Sequence, residues 1–79
     1  MTLNEIDAMV GRRMKLLREK RGMSLDEAAE KIGTTGATLS NWEKAKFEIK
    51  LRHMVLAARA YEAPLMALIP EEIRGVADE

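Results

Sequence analysis

Positions 24–43 encode two short helices joined by a turn of very few residues, and no other feature of the chain limits its fold so strongly. Ser24 and Glu27 have the S-x-x-E spacing of a capping box, in which each side chain satisfies a free backbone N–H at a helix start. Leu25, Ala28, Ala29 and Ile32 then recur at helical spacing, and Gly33 supplies a left-handed stop. Two residues later Thr35 can cap a second helix, whose apolar positions are Leu39 and Trp42.

The rest of the chain predicts more helix. Its hydrophobic fraction of 47% suffices for a small helical bundle, but with only 4% aromatics Ala, Leu and Met must fill the core. Such composition favours helix over strand. At 79 residues there is room for one core. The absence of Cys excludes disulfides and thiolate metal sites and is compatible with a reducing cytosol. No apolar run approaches the ~20 residues that cross a bilayer, so no membrane partner is expected. Asn4, Glu5 and Asp7 stand where a signal peptide would be basic.

Formal net charge is zero, yet the charge is unevenly placed. Residues 1–10 carry Glu5 and Asp7 and no base; residues 11–62 hold 12 Lys or Arg against 7 acids; residues 63–79 hold Arg74 against four acids. The middle is basic and both ends are acidic. The local field, not the total, decides whether such a surface attracts phosphate.

Five helices are predicted. The first runs from about Asn4 to Arg21, with Ile6, Val10, Met14 and Leu17 inward, Arg18, Lys20 and Arg21 near its negative end, and Gly22 as its stop. Helices two and three are those described above. A Lys-rich loop, 45–50, leads to a fourth helix from Leu51 to Glu62, with Leu51, Val55, Ala58 and Tyr61 inward. Pro64 opens a short fifth helix holding Leu65, Leu68 and Ile69, and Pro70 can stop it. Met9, Met14, Met23, Met54 and Met66 fall at or beside apolar positions and are read as core filling.

A helix, a Gly-Thr-Thr turn and a second short helix have the form of a helix-turn-helix unit, whose second helix enters a DNA major groove. From about Gly11 to Ile69 the chain resembles the phage repressor/Cro-type helix-turn-helix DNA-binding family. The residues carrying the resemblance are Leu17-Arg18 and Arg21-Gly22, S-L-D-E-A-A-E-K-I-G-T-T at 24–35, L-S-N-W-E-K at 39–44, and L-A-A-R-A-Y-E-A-P-L-M-A-L-I at 56–69. It implies an all-α, compact five-helix, lambda-repressor-like domain over residues 1–70, followed by an acidic C-terminal tail, 71–79. It also implies that Arg18 and Glu43, at the family's places for an ion pair, pin the recognition helix to the scaffold.

Three positions depart from the family pattern. Leu25 replaces a Gln that often touches phosphate, leaving only backbone N–H groups for that contact. Gly36 and Ala37 replace long polar side chains at the start of the recognition helix, so direct base readout falls on few residues. Ala45 stands where a Gly commonly follows the helix, at a small cost in the turn.

Asn41 is the leading base-contact candidate, because Asn can bond adenine N6 and N7 together; the plainer reading is a solvated polar residue. Thr35, Ala37 and Thr38 are further base-contact candidates, Thr35 through its hydroxyl if capping leaves it free and Ala37 through a thymine methyl. Ser40, Lys44, Lys46, Lys50 and Arg52, with the backbone at Leu25, are candidates for phosphate, opposed only by Glu48 in the loop. Trp42, three residues from Leu39, is read as core and not as a stacking platform. His53 is the only histidine, with no metal-site company, so neither metal nor cofactor is expected. The apolar Leu65, Leu68 and Ile69 are the expected dimer surface.

Two functions from different classes follow. One is a sequence-specific transcriptional regulator, of Cro-like, antitoxin or controller type, which binds double-stranded DNA as a homodimer with helix 35–44 in the major groove. It would act as a repressor in bacterial or phage cytoplasm, with a regulatory protein partner as a further option. The other is a protein-interaction module that kept the fold and lost tight DNA binding. An enzyme is not expected, since Ser24 and Ser40 already have structural or DNA-facing explanations.

Overall fold

A computed structural model of the chain describes residues 3–71. In chain order it contains α1 (Leu3–Lys20), α2 (Leu25–Ile32), α3 (Gly36–Glu43), α4 (Leu51–Ala60) and a 3-10 turn (Leu65–Leu68), with no strand among the described residues. Helices α2 and α3, of 8 residues each, are too short to persist alone in water. Tertiary burial holds them. α2 packs on both α3 and α4, α1 packs on α3 and the 3-10 turn, and α4 packs on that turn.

The core is where these contacts converge. Met14, Leu39, Tyr61 and Leu68 are its largest fully buried side chains, and Val10, Ile32 and Trp42 close its edges. Side chains of this size contribute about 1.5–3 kcal/mol each on burial. Ala28 and Ala29 of α2 and Ala57 and Ala58 of α4 are buried too. Small residues on both helices let the two backbones come close.

Helix ends follow from local chemistry. The Ser24 hydroxyl accepts from the Glu27 N–H at 3.1 Å, and the Ser24 N–H donates to the Glu27 carboxylate at 3.2 Å. Gly33, at φ 87°, ends α2 in the left-handed region that only glycine enters without cost. α3 and α4 end in the same left-handed geometry without glycine, using Ala45 at φ 59° and Glu62 at φ 53°. Behind Ala45, the Lys46 N–H returns to the Asn41 carbonyl at 2.8 Å and the Ala45 N–H to that of Trp42 at 3.0 Å. This is a Schellman closure built on an alanine.

The structure corrects four expectations. The fifth helix is a four-residue 3-10 turn, since Pro64 caps it and Pro70 holds Ile69 in extended backbone (φ −91°, ψ 119°). Leu51 is 66% exposed, not inward, because the first turn of α4 overhangs the core; the buried stripe begins instead at Met54, which packs against the core. Met66 is 54% exposed and does not fill the core. Leu68 has no exposed surface and is spent inside the protomer, so it cannot belong to a dimer face. Of the expected acidic tail, residues 72–79 lie outside the described residues.

Candidate nucleic-acid interface

α3 is held from beneath by contacts that set both its height and its angle. Leu39 and Trp42 point into the core. The Trp42 ring meets His53 of α4, with ring centroids 4.8 Å apart and planes tilted by 37°. On the α1 side the close approach depends on Gly11. A Cβ there would lie 2.5 Å from the Glu43 carbonyl oxygen and 2.7 Å from that of Trp42, so any larger residue would push α3 outward.

An ion pair completes the attachment. Val10, Met14 and Arg18 are spaced by four along α1 and all are buried, which places a guanidinium at a core position. Its Nε donates to Glu43 Oε2 at 2.7 Å, Nη2 to Glu43 Oε1 at 3.0 Å, and Nη1 to the Met23 carbonyl at 2.9 Å. The two side chains are only 10% and 5% exposed. The hydrogen bond to Glu43 raises the Arg18 pKa further above its ordinary value. One fork-to-carboxylate contact thus ties the last residue of α3 to both α1 and the turn before α2.

The opposite side of α3 carries the sequence-predicted contact residues. Thr35 caps the helix by accepting from the Thr38 N–H at 3.2 Å and donates its own proton to the Thr38 hydroxyl at 3.0 Å. The cap uses a Thr35 lone pair and the bond to Thr38 uses its donor, while Thr38 keeps a hydroxyl proton to give to a ligand. Ala37 is exposed, while Thr38, Ser40 and Asn41 are half-buried. Asn41 follows Ala37 by one turn, so the two share a face. Leu25 packs its side chain against the core, so only its backbone at the first turn of α2 faces outward chemistry.

Lys44, Lys46, Lys50 and Arg52 are all exposed. Among the described residues none of these four side chains has a hydrogen-bond or ion-pair partner. Lys44, the C-cap of α3, suits the negative end of that helix, but Lys50 and Arg52 defy the local rule. Lys50 is the N-cap of α4 and Arg52 lies in its first turn, which contains no acid. Cations there face the positive end of the helix dipole, where an anion is favoured. An incoming anion would relieve that repulsion and meet the free N–H groups of the helix start.

The scaffold's arginines behave differently; sequence reasoning assigned Arg13 no role and Arg21 only a place near the negative end of the first helix. Arg13 Nε donates to the Ala67 carbonyl at 2.9 Å, and Arg21 Nε to the Tyr61 carbonyl at 2.8 Å. Arg13 thus binds the 3-10 turn to α1, and Arg21, just past α1, binds the end of α4. Gly11 was missed as well, although a glycine inside an amphipathic helix signals a close neighbour. Glu27's pKa is lowered by its hydrogen bonds from the Ser24 backbone and side chain. Burial pushes the Tyr61 hydroxyl up to about 12, aided by the nearby Glu43 charge, and its oxygen has no hydrogen-bond partner among the described residues.

Among the described residues no group of three or more His, Cys, Asp or Glu is placed to hold a metal ion. No helix there is long and apolar enough to cross a membrane. No curated protein matches the chain. The helix-turn-helix family model matches residues 14–68, from the middle of α1 through the 3-10 turn, and so includes α2, α3, α4 and the Arg18–Glu43 pair, while Gly11 lies just outside it. The chain belongs to the Cro/repressor-type helix-turn-helix family of DNA-binding transcription regulators.

Proposed function

We propose that this protein is a sequence-specific repressor that binds double-stranded DNA as a homodimer, laying α3 in the major groove. The observation that carries the reading is the group of four exposed, unpartnered cations, Lys44, Lys46, Lys50 and Arg52, immediately after α3. They serve as phosphate contacts on the flank of the groove, and the backbone at Leu25 with the Ser40 hydroxyl provides two more. Asn41 is the principal base reader, with Thr38, Ala37 and the remaining lone pair of Thr35 contributing less. Leu65 and Ile69 are partly exposed beside exposed Met66, and these three form the dimer surface. A two-fold dimer would then address half-sites about one helical turn (~34–36 Å) apart.

Binding to selected DNA measured across a salt series tests this directly. Each phosphate contact removed should reduce the slope of log affinity against log salt by ~0.9 and weaken all sequences alike. Asn41→Ala should cost ~1–3 kcal/mol on the preferred site and flatten preference at one position. If Asn41→Ala changes neither affinity nor preference, Asn41 is not the base reader. Wild-type protein that shows no salt-sensitive DNA binding would favour the protein-interaction module, which Gly36, Ala37 and Leu25 would then suit.

A further inference from the structure

The start of α3 lacks the side chain that would ordinarily face a base, and the carboxylate of Asp26 fills the place. Gly36 is the first residue of α3 and is half-buried. A Cβ built on it would collide with Asp26 Oδ1, and the Asp26 Cγ would be 3.4 Å away. Asp26 sits in the first turn of α2, is exposed, and among the described residues has no hydrogen-bond or ion-pair partner. A solvent-facing carboxylate with all its acceptor sites free therefore lies over the end of α3 that enters the groove. Gly36 is what lets it stand there.

Charge makes this placement informative. A carboxylate among incoming phosphates weakens binding to every sequence, so as an affinity device it is counterproductive. It can discriminate, however. An ionised carboxylate only accepts hydrogen bonds, and in the major groove guanine and thymine present acceptors, adenine sets its N6 donor beside the N7 acceptor, and cytosine presents its N4 amino donor with no acceptor beside it. We propose that Asp26 is a specificity-determining residue that accepts a hydrogen bond from cytosine N4 opposite the start of α3. It reads a base position separate from that of Asn41, and it disfavours guanine and thymine there by repulsion, a penalty on wrong sites rather than a gain on the right one. The proposal rests on the reading of α3 as the recognition helix.

Selection of bound duplexes from a random pool, run in parallel with the wild type, Asp26→Ala, Asp26→Asn and Gly36→Ala, tests it. The wild type should select a cytosine at one position that Asp26→Ala no longer selects, with preference falling from roughly five- to tenfold to near unity. Preference at the Asn41 position should persist in that variant, and its affinity for random DNA should rise. Gly36→Ala, which displaces the carboxylate without removing it, should lose the same cytosine. Replacing that cytosine with a pyrimidine lacking the exocyclic amine should weaken the wild type and leave Asp26→Ala unaffected. Asp26→Asn, uncharged and close in shape, should lose the exclusion of guanine and thymine. If Asp26→Ala merely tightens binding to all sequences and keeps every preference, Asp26 does not read bases. That result would leave the proposed repressor function standing, whereas a wild type that binds no DNA would remove both.

Discussion

Removing one member of the Arg18–Glu43 pair should be among the most damaging single changes available in this domain. In Glu43→Leu the Arg18 guanidinium would keep its charge and its burial and lose both carboxylate contacts, at 2.7 and 3.0 Å, retaining only the Met23 carbonyl at 2.9 Å. In Arg18→Met the carboxylate of Glu43 would be stranded instead. Breaking a buried pair from either side costs about 3–5 kcal/mol, against about 0.2–1 for an exposed pair. A chain of this length has a total stability of about 4–12 kcal/mol at the usual 0.05–0.15 per residue. Either single variant should therefore lower Tm by roughly 12 °C or more, at about 4–8 °C per kcal/mol.

The double variant separates pairing from packing. Arg18→Met with Glu43→Leu removes both charges and leaves apolar side chains of similar size, a replacement that is often neutral or stabilising. Urea unfolding followed by Trp42 fluorescence and by far-UV circular dichroism would give all four corners of the cycle. A coupling of about 2 kcal/mol or more is expected, with the double variant more stable than either single one. Additive losses, or coupling below about 0.5 kcal/mol, would refute the argument, for that is how a solvated surface pair behaves.

Two further outcomes concern helix ends and burial. Ala45→Gly should raise stability by up to about 1 kcal/mol, since it relieves an L-residue held at φ 59° at the end of α3; a thermal melt with unchanged or lower Tm would contradict it. Tyr61, whose pKa is held near 12 by burial, is protonated more firmly in the folded than in the unfolded chain, so its contribution is complete below pH ~10 and lost as pH climbs toward 12. Urea midpoints across that range should fall for the wild type, while Tyr61→Phe should abolish Tyr61's share of the decline and gain about 1 kcal/mol at neutral pH by deleting an unpartnered buried hydroxyl.

What could be read from the residues depended on how local the governing interaction is. The capping box of Ser24 and Glu27, the Thr35 cap and the Gly33 stop act across three or four residues, and their geometry follows from spacing alone. Periodicity indicates a face and not a depth. Leu51 lies in phase with Met54 and Ala58 yet projects beyond the core, and Leu68 shares a short apolar run with Met66 yet is fully buried where Met66 is exposed. Arg18 and Glu43 are 25 residues apart, so only the family resemblance could suggest their pairing. Gly11 and Asp26 escaped notice because each acquires its meaning from a backbone elsewhere, at Glu43 and at Gly36.

The zero net charge, which counts against nucleic-acid binding when read as a sum, loses force once the cations are sorted by what they touch. Arg13, Arg18 and Arg21 are consumed internally, each donating to a carbonyl or carboxylate that fastens one element to another. Arginine suits that work, because its planar fork holds two acceptors in a set geometry. The cations after α3 are mostly lysines, exposed and unpartnered among the described residues, and two of them, Lys50 and Arg52, stand at a helix start that repels them. A fold usually breaks such a local rule where function requires it. The acidic residues that bring the total to zero include Glu43, already neutralised by Arg18, and Glu5 and Asp7 in the first turns of α1. The field that incoming phosphate would meet beside α3 is therefore more positive than the formal sum. Asp26 and Glu48 are exposed acids near that surface, and the placement of Asp26 over Gly36 suits the discriminating role proposed for it.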